Sequence, residues 1–290
     1  MKVYGFTFIR NAIKYDYPIV EAIRSILPIC DKVIVAVGDS EDGTLSLIQD
    51  IDAKKIEIIH TQWDDSLREG GKVLAVETDK AFQHIPEDVD WAFYIQGDEV
   101  IHEKYLPEVK DAMTRYLKNP EVDGLLFKYL HFYGSYDYVG VSSNWYRHEI
   151  RVVRNNKNIY SYRDAQGFRK NNNEKLKVKP IDAYIYHYGW VREPESMQRK
   201  QETFKKYWHD DDWVEKNVVK ADEFDYSKNI TELTKFEGDH PQIMKDRLER
   251  INWQFEMDIS FNRKSLKDKV KIFFQKYLNI ELGYKNYKKI

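Results

Sequence analysis

Four short runs of almost unbroken apolar residues, each leading into a helical pattern or a polar turn, constrain this chain more than any other feature. They are VYGFTFI (3–9), KVIVAV (32–37), KIEIIHT (55–61) and WAFYIQ (91–96). Most lack the alternation of a half-exposed strand, so they read as strands buried on both faces. After Pro18, which suits a first helical turn, Ile19, Val20, Ala22, Ile23, Ile26 and Leu27 recur at helical spacing. Asp42-Gly43-Thr44 opens a short helix ending near Ile51, and residues 71–85 form a longer one. This βαβαβαβ order predicts a parallel, doubly wound sheet with right-handed crossovers.

After about Asn119 the pattern changes. GLLFKYLHFYG (124–134), IRVVRN (150–155) and AYIYHYG (183–189) are strand-like pieces set among polar loops such as Asn171-Asn172-Asn173. They predict a mixed or antiparallel extension of the sheet. A helix over 195–208 follows. Residues 209–239 carry ten acids and four lysines and read as an exposed loop region. A helical segment runs from Pro241 towards Ile251. Residues 263–290 hold nine Lys/Arg and two acids, with Val270, Ile272, Phe273, Phe274, Tyr277 and Leu278 set among the lysines. That tail reads as a docked terminal helix with solvated lysines, or as a basic amphipathic helix resting on an anionic membrane. The expected division is 1–240 (halves 1–119 and 120–208, acidic region 209–240) and a helical extension over 241–290.

Composition excludes several classes. The net charge of -2 gives no global field for nucleic acid. Cys30 is the single cysteine, so there is no intramolecular disulfide and no cysteine framework for a metal. No apolar run reaches the roughly 18 residues of a spanning helix. MKVYGFTFIRN passes straight into a strand pattern. A cytoplasmic location is the expectation, with peripheral contact to the inner membrane face through the basic tail as its variant. Neither a Walker lysine motif nor GxGxxG is present, which speaks against kinases and dinucleotide dehydrogenases. The 21 tyrosines and 7 tryptophans mean an aromatic-heavy core or platforms for sugar or base stacking.

WAFYIQGDEV (91–100) carries the chemistry. A buried strand that ends in Gly97-Asp98-Glu99 points two acids out of its carboxyl end, where ligands of open α/β sheets sit. The other reading is a cap on a helix over 103–118. Together with Phe8-Ile9-Arg10-Asn11 and VIVAVGDSEDGT (33–44), in this order and at these strand ends, the stretch resembles family 2 glycosyltransferases, inverting enzymes of the GT-A fold. The resemblance covers roughly residues 1–208. It implies an α/β, GT-A-like sheet, mostly parallel and doubly wound, with a mixed second half. It also implies a nucleotide-sugar donor, a glycan or lipid-linked acceptor, and a divalent cation, Mn²⁺ or Mg²⁺.

The resemblance assigns roles residue by residue. Asp98 stands at the last acid of the family's Asp-x-Asp motif and would hold the metal, with Glu99 as a direct or supporting partner and His187 as a third ligand. Gln96 replaces the motif's first Asp; it brings a hydrogen bond for the ribose but no charge. Gly97 lets a diphosphate approach the backbone. Val37 replaces the Asp that often reads the base, leaving Asp39 to substitute. Arg10 and Asn11 would border base and ribose, and Lys72 and Arg192 would meet phosphate. The general base falls to Asp164, with Glu149 in reserve. Tyr136, Tyr138 and Trp145 would face the acceptor. Competing readings are a nucleotidyltransferase, which would want a glycine-rich basic loop where Arg10-Asn11-Ala12-Ile13 stands, and a non-catalytic nucleotide- or carbohydrate-binding protein in which Gln96 has ended metal use.

Overall fold

The four apolar runs become β1 (Val3–Ile9), β2 (Lys32–Gly38), β3 (Ile56–Thr61) and β4 (Trp91–Tyr94). They belong to a computed structural model that describes residues 1–67, 69–142, 144–218, 221–228, 232–259, 277 and 285–290. β1 pairs in parallel with β2 and β4, and β2 with β3, giving the spatial order β3-β2-β1-β4. Helices α1 (Ile19–Ile26), α2 (Thr44–Gln49) and α3 (Lys72–Gln83) make the crossovers. α1 packs Ile19, Ala22, Ile23 and Ile26 against Val33, Val35 and Val37. On the other face, α3 sets Val73, Leu74, Ala81 and Phe82 against Phe6, Ile34 and Ala36. Both faces of β2 are therefore covered, which is why its run is apolar throughout.

The second half is mixed. β5 (Glu99–Ile101) and α4 (Leu106–Tyr116) lead into β6 (Gly124–Tyr133), β7 (Ser135–Gly140) and β8 (His148–Arg154). β8 lies antiparallel between β4 and β6. Next, β9 (Ile159–Tyr162), β10 (Gly167–Lys170) and β11 (Glu174–Lys175) form a small antiparallel sheet. β12 (Lys177–Trp190) then returns parallel to β6 and antiparallel to β5. The fold is the expected doubly wound α/β arrangement, parallel in its first half and mixed in its second.

The last third departs from the expected outline. α5 (Pro194–Phe204) stops short of Trp208, with one 3-10 turn over Lys205–Tyr207 behind it. Residues 209–239 are not all loop. Asp210 caps α6 (Asp211–Asn217) by accepting from Trp213 N at 2.7 Å, and β13 (Leu233–Lys235) pairs with β7. In place of one helix towards Ile251 there is a 3-10 turn over Gln242–Met244 followed by α7 (Lys245–Glu249). Met244 packs into the core beside Val100, Phe132 and Tyr186. The basic helix expected within 263–290 falls outside the described residues apart from Tyr277 and 285–290. The chain ends on β14 (Lys288–Lys289), parallel to β12 at Lys177 and Val178. Among the described residues, no helix is long and apolar enough to cross a membrane.

Candidate functional site

A cleft of about 690 Å³ opens at the carboxyl ends of β1 and β4. Phe8, Ile9, Arg10 and Trp63 form one end, and Gln96, Gly97, Asp98 and His187 the middle. Trp145, Glu149, Asp164 and Gln166 lie on the second-half side. β4 stops at Tyr94, and a turn closed by Glu99 N donating to Gln96 O (3.0 Å) leads into β5. His102 occupies the cap of the 3-10 turn before α4, so the helix-cap reading of Asp98 is excluded. Asp98 belongs to this turn and Glu99 is the first residue of β5, and the two acids part company.

Asp98 faces the cleft. Its Oδ1 lies 3.7 Å from His187 Nε2, and its Oδ2 lies 3.5 Å from both Arg192 Nη2 and Lys200 Nζ. Burial pushes this carboxyl up, but Lys200, His187 and Arg192 pull it further down, to about 2. The proton on His187 can be placed. Tyr146 O can only accept, so His131 donates to it from Nε2 at 2.7 Å. Burial keeps His131 neutral, which leaves its Nδ1 as an acceptor for His187 Nδ1–H at 3.1 Å. Burial also pulls the His187 imidazolium down, so the ring is neutral with a bare Nε2. Two lone-pair donors thus face each other with no proton between them. That repels unless a cation sits there, and a carboxylate with a neutral imidazole suits a divalent ion. Among the described residues no group of three or more His, Cys, Asp and Glu gathers, so a metal here could take at most Asp98 and His187 from such side chains. Gly189 makes their approach feasible: a Cβ there would lie 2.5 Å from His187 Cε1 and 3.0 Å from Asp98 Oδ2.

Glu99 is a correction. It is fully buried and points into the sheet interior. Arg151 donates to it from Nε (2.7 Å) and Nη2 (2.6 Å), Tyr129 OH at 2.8 Å and Gln96 N at 3.2 Å. Both oxygens are spent on holding β5 to β6 and β8, and none is left for a metal. Glu99→Gln is expected to lower stability by about 3–5 kcal/mol, because it strands a buried guanidinium. Denaturant titration reads that loss; a folded variant with weakened metal binding alone would contradict it.

The remaining expected residues divide. Arg10 lines the cleft over Trp63 (5.6 Å) and is tied to Asp65 (2.9 Å) and Asp39 O (2.9 Å). Gln96 lines it too, donating to Ala165 O at 3.0 Å. Arg192 is fully buried behind Asp98. Asn11, Asp39 and Lys72 lie off the cleft wall. Asn11 is left-handed (φ 55) and accepts from Glu41 N at 2.8 Å, stitching β1 to the β2 loop. Lys72 is exposed at the start of α3. The Asp42-Gly43-Thr44 run is likewise a stitch: Thr44 Oγ1 accepts from Ala12 N at 2.7 Å.

On the acceptor side, Trp145 lines the cleft, stacked on His131 at 5.0 Å. Tyr136 and Tyr138 do not; they are 4% and 5% exposed and pack against Tyr188 and Phe255. Asp164 lines the cleft between two left-handed residues, Arg163 (φ 59) and Ala165 (φ 62), and burial raises its carboxyl above the ordinary value. A Cβ on Gly71, itself left-handed at φ 70, would fall 2.7 Å from Asp164 Cβ, so the two loops fit only with glycine.

Glu149 is 2% exposed; Gln166 Nε2 donates to its Oε1 at 2.9 Å. Its Oε2 has no partner among the described residues. Burial pushes it up to about 8, against the pull of Arg151. The folded protein then holds a proton that the unfolded chain loses near pH 4–5. The resulting stability is complete below that range and fades as pH rises towards about 8, by up to about 1.4 kcal/mol per unit. Glu149→Gln should flatten this slope in urea titrations between about pH 5 and 8; an unchanged slope would show that the proton sits elsewhere.

Sequence reasoning missed Lys200, His131, Trp63, Gln166 and the terminal Asn286 and Tyr287; all but His131 line the cleft. Lys200 had a signal. It falls three residues after buried Met197 and four before half-buried Phe204, on the face of α5 where an apolar residue is the rule. Asn286 had none. It reaches the cleft because β14 docks on β12 and Arg169 Nη1 donates to Asn286 O at 2.6 Å.

No protein-family model matches the sequence, and no curated protein does. Among solved structures, the chain is similar to S. aureus TarS, at 17% identity and TM-score 0.41, over 70% of this chain and 38% of that one. It is also similar to S. aureus TarS 1-349 in complex with UDP, at 15% identity and TM-score 0.39, over 77% of this chain and 68% of that one. A third is glucosyl-3-phosphoglycerate synthase from Mycobacterium tuberculosis with Mn²⁺, UDP and phosphoglyceric acid, at 17% identity and TM-score 0.30, over 45% and 43% of the two chains. The match spans little more than a third of full TarS. At such scores nothing about substrate or mechanism passes from those proteins to this one.

Proposed function

We propose that this chain is an inverting, nucleotide-sugar-dependent glycosyltransferase of the family 2 kind, acting on a hydroxyl of a glycan or lipid-linked acceptor. One observation carries the reading: Asp98 Oδ1 faces an unprotonated His187 Nε2 at 3.7 Å inside a cleft at the strand ends. Ligands of open α/β sheets enter from this side. The residues fit a divalent cation, with Asp98 and His187 as its protein ligands. Bound there, Mn²⁺ or Mg²⁺ would supply Lewis-acid neutralisation of a departing diphosphate and take its other ligands from phosphate and water.

The chain's own groups divide the remaining tasks. Gln96, fixed by Ala165 O and lying beside Tyr94 OH (3.4 Å), presents an amide to the ribose without adding charge. Gly97 keeps the floor low, since a Cβ there would already press on Ile9 at 3.1 Å. Trp63, Phe8 and Arg10 wall the end where a flat base would lie. Trp145 and Trp190 offer faces for an acceptor sugar. Asp164, in reach of the acceptor side, takes the proton from the attacking hydroxyl; Glu149 is the second candidate. The test is turnover: nucleoside-diphosphate release from a panel of nucleotide-sugars with Mn²⁺ and mixed glycan acceptors. Release with one donor, dependent on Asp98, supports the reading, and silence across the panel sinks it.

A further inference from the structure

Two buried arginines of this protein, Arg151 and Arg169, are hydrogen-bonded through their guanidinium groups. Arg151 grips Glu99 with two nitrogens and donates to Ile150 O and Gln166 O with the third. Half-buried Arg154 likewise donates to Val122 O, Tyr116 O and Asn119 O. Arg192 differs. It is 0% exposed, yet among the described residues none of its three guanidinium nitrogens has a hydrogen-bond partner. It rests over the Tyr17 ring at 4.2 Å and approaches Asp98 Oδ2 only to 3.5 Å.

Lys200, on α5, crowds the same carboxylate. Its Nζ donates to Gly189 O at 3.1 Å, lies over Tyr17 at 5.1 Å, and also stops 3.5 Å from the same Oδ2. Charge-assisted bonds close to about 2.7–2.9 Å, as the Glu99–Arg151 pair does. Arg192 and a protonated Lys200 therefore share one carboxylate oxygen, each only at 3.5 Å, and Arg192 has no hydrogen bond from its guanidinium besides among the described residues. Buried N–H groups left in this state are costly. The missing partner is an anion with more charge and more oxygens than one carboxylate, entering from the cleft that Lys200 lines.

We propose that Lys200 and Arg192 form a diphosphate clamp for which Asp98 is the resting counter-ion. The two phosphates of a nucleoside diphosphate take over both cations, and the carboxylate is freed towards His187. The inference rests on the donor-cleft reading and adds an order to it: phosphate first loosens Asp98 from its cations, so metal and nucleotide favour each other's binding. Lys200 thus joins Arg192 as a donor-binding residue.

The probe is inorganic pyrophosphate in EDTA, with orthophosphate as the single-phosphate control, followed by titration calorimetry. The wild-type protein should bind pyrophosphate at least about tenfold more tightly than orthophosphate. Lys200→Met should weaken pyrophosphate about tenfold or more, in line with a lost bond to a charged group. Asp98→Asn should tighten it several-fold, because the competing anion is gone. Unaltered affinity in folded Lys200→Met, or weaker binding in Asp98→Asn, overturns the clamp, as does absence of pyrophosphate binding. If Lys200→Met fails to fold, the direction of the near-isosteric Asp98→Asn effect decides alone. A clamp that passes this test in a protein that turns over no nucleotide-sugar would separate the two ideas, sinking the transferase and keeping the clamp.

Discussion

Asp98→Asn is expected to abolish metal-dependent nucleotide binding while the protein stays folded. The amide keeps the size and one oxygen, so the packing of β5 against β12 survives, including the Tyr188 N donation to Asp98 O at 2.8 Å. What disappears is the negative charge opposite His187 Nε2 and beside buried Arg192 and Lys200, so some stability goes with it. With Gln96 neutral and Glu99 buried against Arg151, no other carboxylate of the strand-end motif can replace it. The loss should reach about 10²-fold or more in affinity measured with Mn²⁺, the scale of removing one electrostatic stabiliser in a site of this kind. Titration of the variant with nucleotide, with and without Mn²⁺, checks it. An undiminished Mn²⁺ effect would remove Asp98 from the site.

Asp164→Asn should leave donor affinity near that of the parent and lower transfer by about 10²–10⁴-fold, the usual contribution of a positioned base. The structure supplies two reasons to look there. Its turn is held between two left-handed non-glycine residues, a conformation that costs free energy and gathers at functional sites. Burial also raises the carboxyl towards the range where a base works near neutrality. Single-turnover rates separate this from a binding defect. If Asp164→Asn transfers normally and Glu149→Gln does not, the base is Glu149.

How much of this could be read from the chain follows from periodicity. β1 to β4 announced themselves because strands covered on both faces carry no polar interruptions, and this gave the parallel half directly. Asp98 and Glu99 show where such reading stops. Adjacent residues are equally acidic on paper, but the turn leaves one at the cleft while β5 carries the other to Arg151, and nothing local says which. Tyr136 and Tyr138 fail similarly: a tyrosine on a strand can stack on a sugar or fill a core, and β7 packs both inward. Asp42-Gly43-Thr44, one of the stretches that carry the resemblance, opens α2 and is engaged with Ala12 and Lys14. His131 and Asn286 were invisible because β6 and β14 reach the site through register with β12, a contact between distant segments.

The central claim is that this cleft takes a nucleotide-sugar diphosphate beside a divalent cation held by Asp98 and His187. Calorimetric titration of a panel of nucleoside diphosphates, each with Mn²⁺ and with EDTA, addresses it most directly. One base should bind best, at least about tenfold more tightly with Mn²⁺, and His187→Ala should erase that increment. Equal affinity with Mn²⁺ and EDTA for every nucleotide, or no binding at all, would contradict the account.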